Sequence, residues 1–248
     1  MKNVSLLLIL SFLLLNFENV FAIPMTKWQI SQPKTTAAMA MIEFGEYPIQ
    51  EVPASIEARF IRKIEQFRDN EIRLVLRDGV AAHPIACTDS VKYSYAPKAE
   101  FRVAHSDDAL VVMFEVEESH LRALAKSGNQ VQEDSCVGIS IANPADSGVF
   151  NFDANCIGTL HASYQDSPLS EELLSQIRIF GSLANIPIDS RGEGQMWWLV
   201  MIIPIAVLGL QGAPKILYCN LHKRGDKCDR PHRLSWVGGD SYGEIQMA

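Results

Sequence analysis

The sequence predicts an all-β fold: an antiparallel β-sandwich of the immunoglobulin or jelly-roll kind with a short N-terminal helix. Three observations carry this. From about residue 72 the chain is a series of short runs in which apolar and polar residues alternate, the period of a half-buried strand. Turn-forming clusters separate the runs. Helical periodicity is confined to two brief segments.

The elements follow in order. Residues 23–53 hold Pro24, Pro33, Pro48 and Pro53 without sustained periodicity and read as an extended lead-in. In Ser55 to Phe67 the residues Ile56, Phe60 and Ile64 are four apart, which predicts an amphipathic helix capped by Ser55. Glu71 to Leu76 alternates through Ile72, Leu74 and Leu76 and predicts a strand. Ala99 to Ala104 and Ala109 to Val116 flank His105-Ser106-Asp107-Asp108 and predict a hairpin. Cys136 to Ile141, Val149 to Ala154 and Gly158 to Ser163 are further strands, and Ser170 to Gln176 fits a short helix. Trp197 to Ile203 is continuously apolar and suits a strand buried on both faces, ended by Pro204. Lys215 to Leu221 is the last clear strand.

Composition narrows the function. The chain has 248 residues, 48% hydrophobic, with a net charge of −7. An acidic chain has the wrong sign for binding nucleic acid by phosphate neutralisation. Lys2, the apolar run Leu6 to Leu15 and Val20-Phe21-Ala22 read as a secretory signal peptide over 1–22. The second apolar stretch, Met196 to Leu210, is too short for a bilayer span and is interrupted by Pro204. The expectation is an exported protein, periplasmic or extracellular, without membrane insertion once the signal is removed. One domain is expected over 54–248.

No nucleophile elbow, phosphate-binding glycine loop or zinc-protease helix is present. Cys219, Cys228, His222 and His232 lie close in sequence. In an exported chain a disulfide between Cys219 and Cys228 is preferred over a metal site, which calls for tighter Cys-x-x-Cys spacing. Arg224-Gly225-Asp226 in the same segment reads as a hairpin tip. On the Phe150 strand Asn151, Asp153 and Asn155 alternate with apolar residues and share one sheet face. Such a face is either solvent surface or a set of amide and carboxylate contacts for sugar hydroxyls.

A set of motifs recurs in order: Phe101-Arg102-Val103-Ala104-His105, Phe114-Glu115-Val116-Glu117-Glu118, Asp134-Ser135-Cys136-Val137, Phe150 to Thr159, Trp198 to Pro204, Tyr218-Cys219-Asn220-Leu221, Leu234-Ser235-Trp236 and Tyr242-Gly243-Glu244-Ile245. Over residues 80–248 the set resembles the carbohydrate-binding module family 9-like domains of exported bacterial proteins. The resemblance implies a sandwich that binds a glycan without hydrolysing it, in proteins linked to polysaccharide catabolism. It also implies a sugar held between two tryptophans. The first of these positions is Gln132 here, and the segment of the second is shortened to Gly238-Gly239-Asp240-Ser241. The family's sugar-bonding glutamate is Gly138 here, while Asn151 and Tyr218 fall at polar contact positions. The candidate sugar contacts are Asn151, Tyr218, Trp198, Gln132 and Asn220. Trp197 and Trp198 point to opposite faces, and an exposed ring beside Asn151 would supply a stacking platform.

The resemblance implies no cofactor beyond structural calcium, with Asp107, Asp108 and Asp134 as carboxylates available to it. The −7 charge fits a neutral glycan ligand. Two other readings stand beside this one. One is a sandwich that has lost sugar recognition and binds a partner or serves structure. The other is a glycan-active hydrolase, which needs a carboxylate pair in a cleft.

Overall fold

The computed structural model describes residues 54–247 apart from 89–90, 126–127, 144–145, 147 and 240. The expected signal peptide and nearly all of the lead-in lie outside the described residues. Among the described residues the strands form a nine-stranded and a six-stranded sheet. The larger runs β1 (Ser55–Glu57), β15 (Gly243–Gln246), β13 (Ile216–Gly225), β7 (Cys136–Ala142), β8 (Val149–Asn155), β9 (Leu160–Tyr164) and β10 (Ser167–Pro168). β14 (His232–Ser235) pairs with the end of β13, and β4 (Cys87–Thr88) pairs with β14. The smaller sheet runs β11 (Arg178–Gly181), β12 (Ile188–Pro204), β6 (Ala109–Ala123), β5 (Lys98–His105) and β2 (Arg59–Phe60), with β3 (His83–Pro84) also on β5.

Alternation decides what each face does. Phe101, Phe114, Trp197, Leu199 and Met201 of the smaller sheet meet Ile139, Phe152, Leu221 and Trp236 in one buried core between the sheets. The opposite face of β6 and β12 is also apolar. Val111, Met113, Val200 and Ile202 pack there against Ile64, Ile72 and Leu76. Double burial explains the unbroken apolar run from Trp197 to Ile203. Pro204 ends the strand, and Ile205–Leu208 turns as a 3₁₀ helix. No helix among the described residues is long and apolar enough to cross a membrane.

The N-terminal expectations were inverted. Ser55 to Phe60 forms two short strands, and helix α1 occupies Asp69–Gly79, where a strand was expected. Ile72, Leu74 and Leu76 satisfy a period of two, but Ile72, Val75 and Leu76 also satisfy helical spacing. Burial follows the helix: Ile72 and Leu76 are fully buried and Leu74 is 49% exposed. The Glu71 carboxylate accepts the Arg68 backbone N–H at 3.0 Å, closing the first turn. The segment before it is recruited by tertiary pairing. β1 lies parallel to β15 and β2 parallel to β5, so two parallel edge pairs join an otherwise antiparallel fold.

All five cysteines are free thiols. The Cys219–Cys228 bridge expected from sequence does not form. Cys219 faces the core from the middle of β13, while Cys228 folds against Gly225 at its end. Six strand residues separate Cys219 from Gly225, about 20 Å at ~3.3 Å per residue, beyond the roughly 7 Å a disulfide spans.

Candidate functional site

The outer face of the larger sheet is the polar one. On β13 the residues Tyr218, Asn220, His222 and Arg224 point outward, because Leu217, Cys219, Leu221 and Lys223 point inward. Register aligns them in rows across the sheet. One row is Ser235, His222, Gly138, Asp153 and His161. The next is Asn220, Ser140, Asn151 and Ser163. Within the first row His222 reaches across Gly138 to Asp153, with Nε2 and Oδ1 2.5 Å apart. A Cβ at position 138 would lie 2.5 Å from the Phe152 carbonyl oxygen and 2.7 Å from Asp153 Oδ1. The pair therefore requires glycine at its crossing point. Gln132 Nε2 donates to the other oxygen, Asp153 Oδ2, at 2.9 Å. Burial pushes the Asp153 carboxyl up, but His222, the Arg224 charge and the Gln132 amide together hold it below the usual carboxylate range.

An open cleft of about 510 Å³ lies over these rows. Ser140, Asn220, His222 and Arg224 contribute to its floor, and Tyr93 and Tyr242 reach it from two separate segments. Tyr242 is 37% exposed. Asn220 shapes the wall: its Nδ2 donates to the carbonyls of Val237 and Ser241 at 2.8 and 2.9 Å, and its Oδ1 accepts from Val237 N. The floor is polar and hydrogen-bonding, and the tyrosines supply apolar ring faces, the two kinds of surface a sugar ring needs.

The residues singled out from sequence divide. Asn220 lines the cleft, and Asn151 lies one strand beyond Ser140, accepting from its hydroxyl at 2.7 Å. Gln132 serves Asp153. Tyr218 is 38% exposed on the same sheet face but is not part of the cleft lining. Trp198 does not join them. It lies on the other sheet, on the α1 side, with the Arg73 guanidinium 4.6 Å above its ring. Trp197 and Trp236 are buried in the core, so none of these three tryptophans offers a platform beside Asn151. The sequence reading missed His222, Arg224, Tyr93 and Tyr242. The signal for two of them was present, because Tyr218, Asn220, His222 and Arg224 continue a period of two past the expected end of the strand.

The three aspartates considered for calcium do not converge. Asp107 and Asp108 sit at the turn before β6. Asp134 binds beyond its far end, accepting from Leu124 N and Ala125 N at 3.0 and 2.9 Å. Asp134 also pairs with Arg122 and accepts from Asn155.

A sequence profile described as carbohydrate-binding family 9 matches residues 70–240. The chain belongs to carbohydrate-binding family 9. Solved structures repeat this family 9 fold. A candidate carbohydrate-binding protein from Bacteroides uniformis is 26% identical, with a TM-score of 0.71 over 78% of this chain and 99% of that one. A family 9 module from Caldicellulosiruptor kristjanssonii in complex with glucose is 14% identical, with a TM-score of 0.53, covering 78% of this chain and 95% of that one. Its complex with cellotriose gives 12% and 0.54, covering 78% and 93%. No curated protein sequence matches the chain. In this family 9 domain Gln132 is a carboxylate partner rather than a ring platform, and the space at Gly138 is filled by the His222–Asp153 pair.

Proposed function

We propose that this protein is an exported, non-catalytic glycan-binding module that holds a sugar in the cleft above β13 and β7. The observation that carries the reading is the cleft itself: a hydrogen-bonding floor of Ser140, Asn220 and His222 with Tyr93 and Tyr242 beside it, on a family 9 sandwich. Among the described residues, Tyr93 and Tyr242 are the aromatic side chains that line the cleft, where the family resemblance implies tryptophans. Catalysis is disfavoured by the chemistry of Asp153. It is 1% exposed and both its oxygens are already engaged, so it is not free to act as acid or nucleophile. Export rests on the signal-like run over 1–22, and a role in polysaccharide catabolism rests on family membership.

Affinity electrophoresis and calorimetry against plant and microbial polysaccharides test this. At least one should bind, and Tyr242→Ala should weaken it about tenfold through the lost ring while the variant stays folded. Retention of no polysaccharide, or unchanged affinity in Tyr242→Ala and Tyr93→Ala alike, would favour the other reading, a sandwich that binds a protein partner.

A further inference from the structure

The cleft floor carries a charge that a neutral sugar leaves unused. Arg224 is half-buried near the end of β13, on the face that bears Asn220 and His222. Register sets it directly opposite Arg233 of β14. Like charges so placed repel, and only one of the two is neutralised. Arg233 takes Asp226 in a two-pronged ion pair, Nε to Oδ1 at 2.8 Å and Nη2 to Oδ2. The Arg224 guanidinium has no hydrogen-bond or ion-pair partner among the described residues. Asp153 is near enough to feel its charge, but His222 and Gln132 already occupy that carboxylate. No carboxylate stands among the described residues that line the cleft, whereas Lys92, Arg224 and Arg233 do.

A guanidinium presents five donors in a planar fork, and those of Arg224 are open to the cleft rather than sealed in the core. The fork matches a planar carboxylate, which accepts two parallel hydrogen bonds from it. We propose that the cleft selects acidic glycans, those with uronic acid units, and that Arg224 recognises the carboxylate. The proposal rests on the glycan-binding reading of the same cleft and adds the class of sugar. A uronate has ring hydroxyls for Ser140 and His222 and a carboxylate for Arg224. The net charge of −7 repels polyanions in general, so retention of one would report the local site.

The test compares polygalacturonate and glucuronoxylan with their fully methyl-esterified forms, using the full chain. Esterification removes the charge and keeps the ring. The acid forms should bind about tenfold tighter or more, the preference should fall with added salt, and Arg224→Gln should bring the ratio to about one. Arg224→Lys, which keeps charge without the fork, should retain only part of the preference. Should Arg224→Gln fail to fold, the acid-to-ester ratio of the unaltered protein still decides. Esters or neutral glucans bound as tightly as the acids would overturn the uronate assignment and leave glycan binding standing. Retention of no polysaccharide would overturn both.

Discussion

Gly138 shows how one absent side chain organises a site. By family resemblance this position belongs to a sugar-contacting glutamate, and its loss alone reads as a loss of function. In the fold the missing Cβ is the space through which His222 meets Asp153. Its backbone φ is ordinary, so the requirement is room rather than conformation. Gly138→Ala should cost on the order of 2–4 kcal/mol in urea unfolding, from overpacking and from a buried carboxylate left without its imidazole. Gly212→Ala, where an added Cβ meets nothing within 4 Å, should stay within about 0.5 kcal/mol. Equal stability of the two variants would show that the crossing is not tight. A sequence shows a glycine but not what passes over it, so this contact was not legible beforehand.

Among the elements, strands were legible where one face is buried and the other wet. Val149 to Ala154, Cys136 to Ile141 and the hairpin around Ser106 were placed to within about a residue or two at most ends, because alternation and turn chemistry agree there. Ser106 Oγ accepts from Asp108 N and Ala109 N, as a serine in such a turn does. Residues 55–80 were not legible, because Ile72 to Leu76 fits two periods and Ser55 to Phe60 takes its form from strands nearly 50 and 190 residues away in sequence. Helix α1 can be checked by its asymmetry. Ile72→Ala and Leu76→Ala should each cost about 2–5 kcal/mol, and Leu74→Ala less than about 1. A strand would have made the three alike. At β13 the inward positions run Leu217, Cys219, Leu221 and then Lys223, a buried ammonium where the pattern calls for an apolar residue. Lys223 Nζ donates to Glu118 Oε2 at 3.0 Å and to His232 Nε2 at 2.8 Å, and Trp197 Nε1 donates to Glu118 Oε1 at 2.6 Å.

That buried network ties the two sheets together and sets a pH dependence for the whole molecule. Burial, then the Lys223 charge, lowers His232 to about 3, against a weaker raising effect of its hydrogen bond to the Arg230 carbonyl. The imidazole is therefore neutral in the fold, accepting from Lys223 at Nε2 and donating from Nδ1 to Arg230 O at 2.9 Å. Unfolded, it takes up a proton near pH 6.5. Between about 6.5 and 3 the unfolded chain binds the extra proton, so this contribution to stability is lost as the pH falls, by up to about 1.4 kcal/mol per pH unit. Unfolding free energies measured across this range should show a shallower pH slope in His232→Asn than in the unaltered protein. Identical slopes would mean that His232 protonates in the fold. By itself the sequence determined the sandwich, the doubly buried Trp197 strand and the family, because these follow from period, turn residues and motif order along the chain. The tertiary structure alone decided the cleft. His222 and Arg224 on β13, Asp153 on β8, Tyr93 and Tyr242 come from four separate segments, and only strand register and loop packing bring them together. The same difference separates the −7 of the whole chain from the cationic floor of its cleft: net charge is a sum over residues, and what a ligand meets is their arrangement.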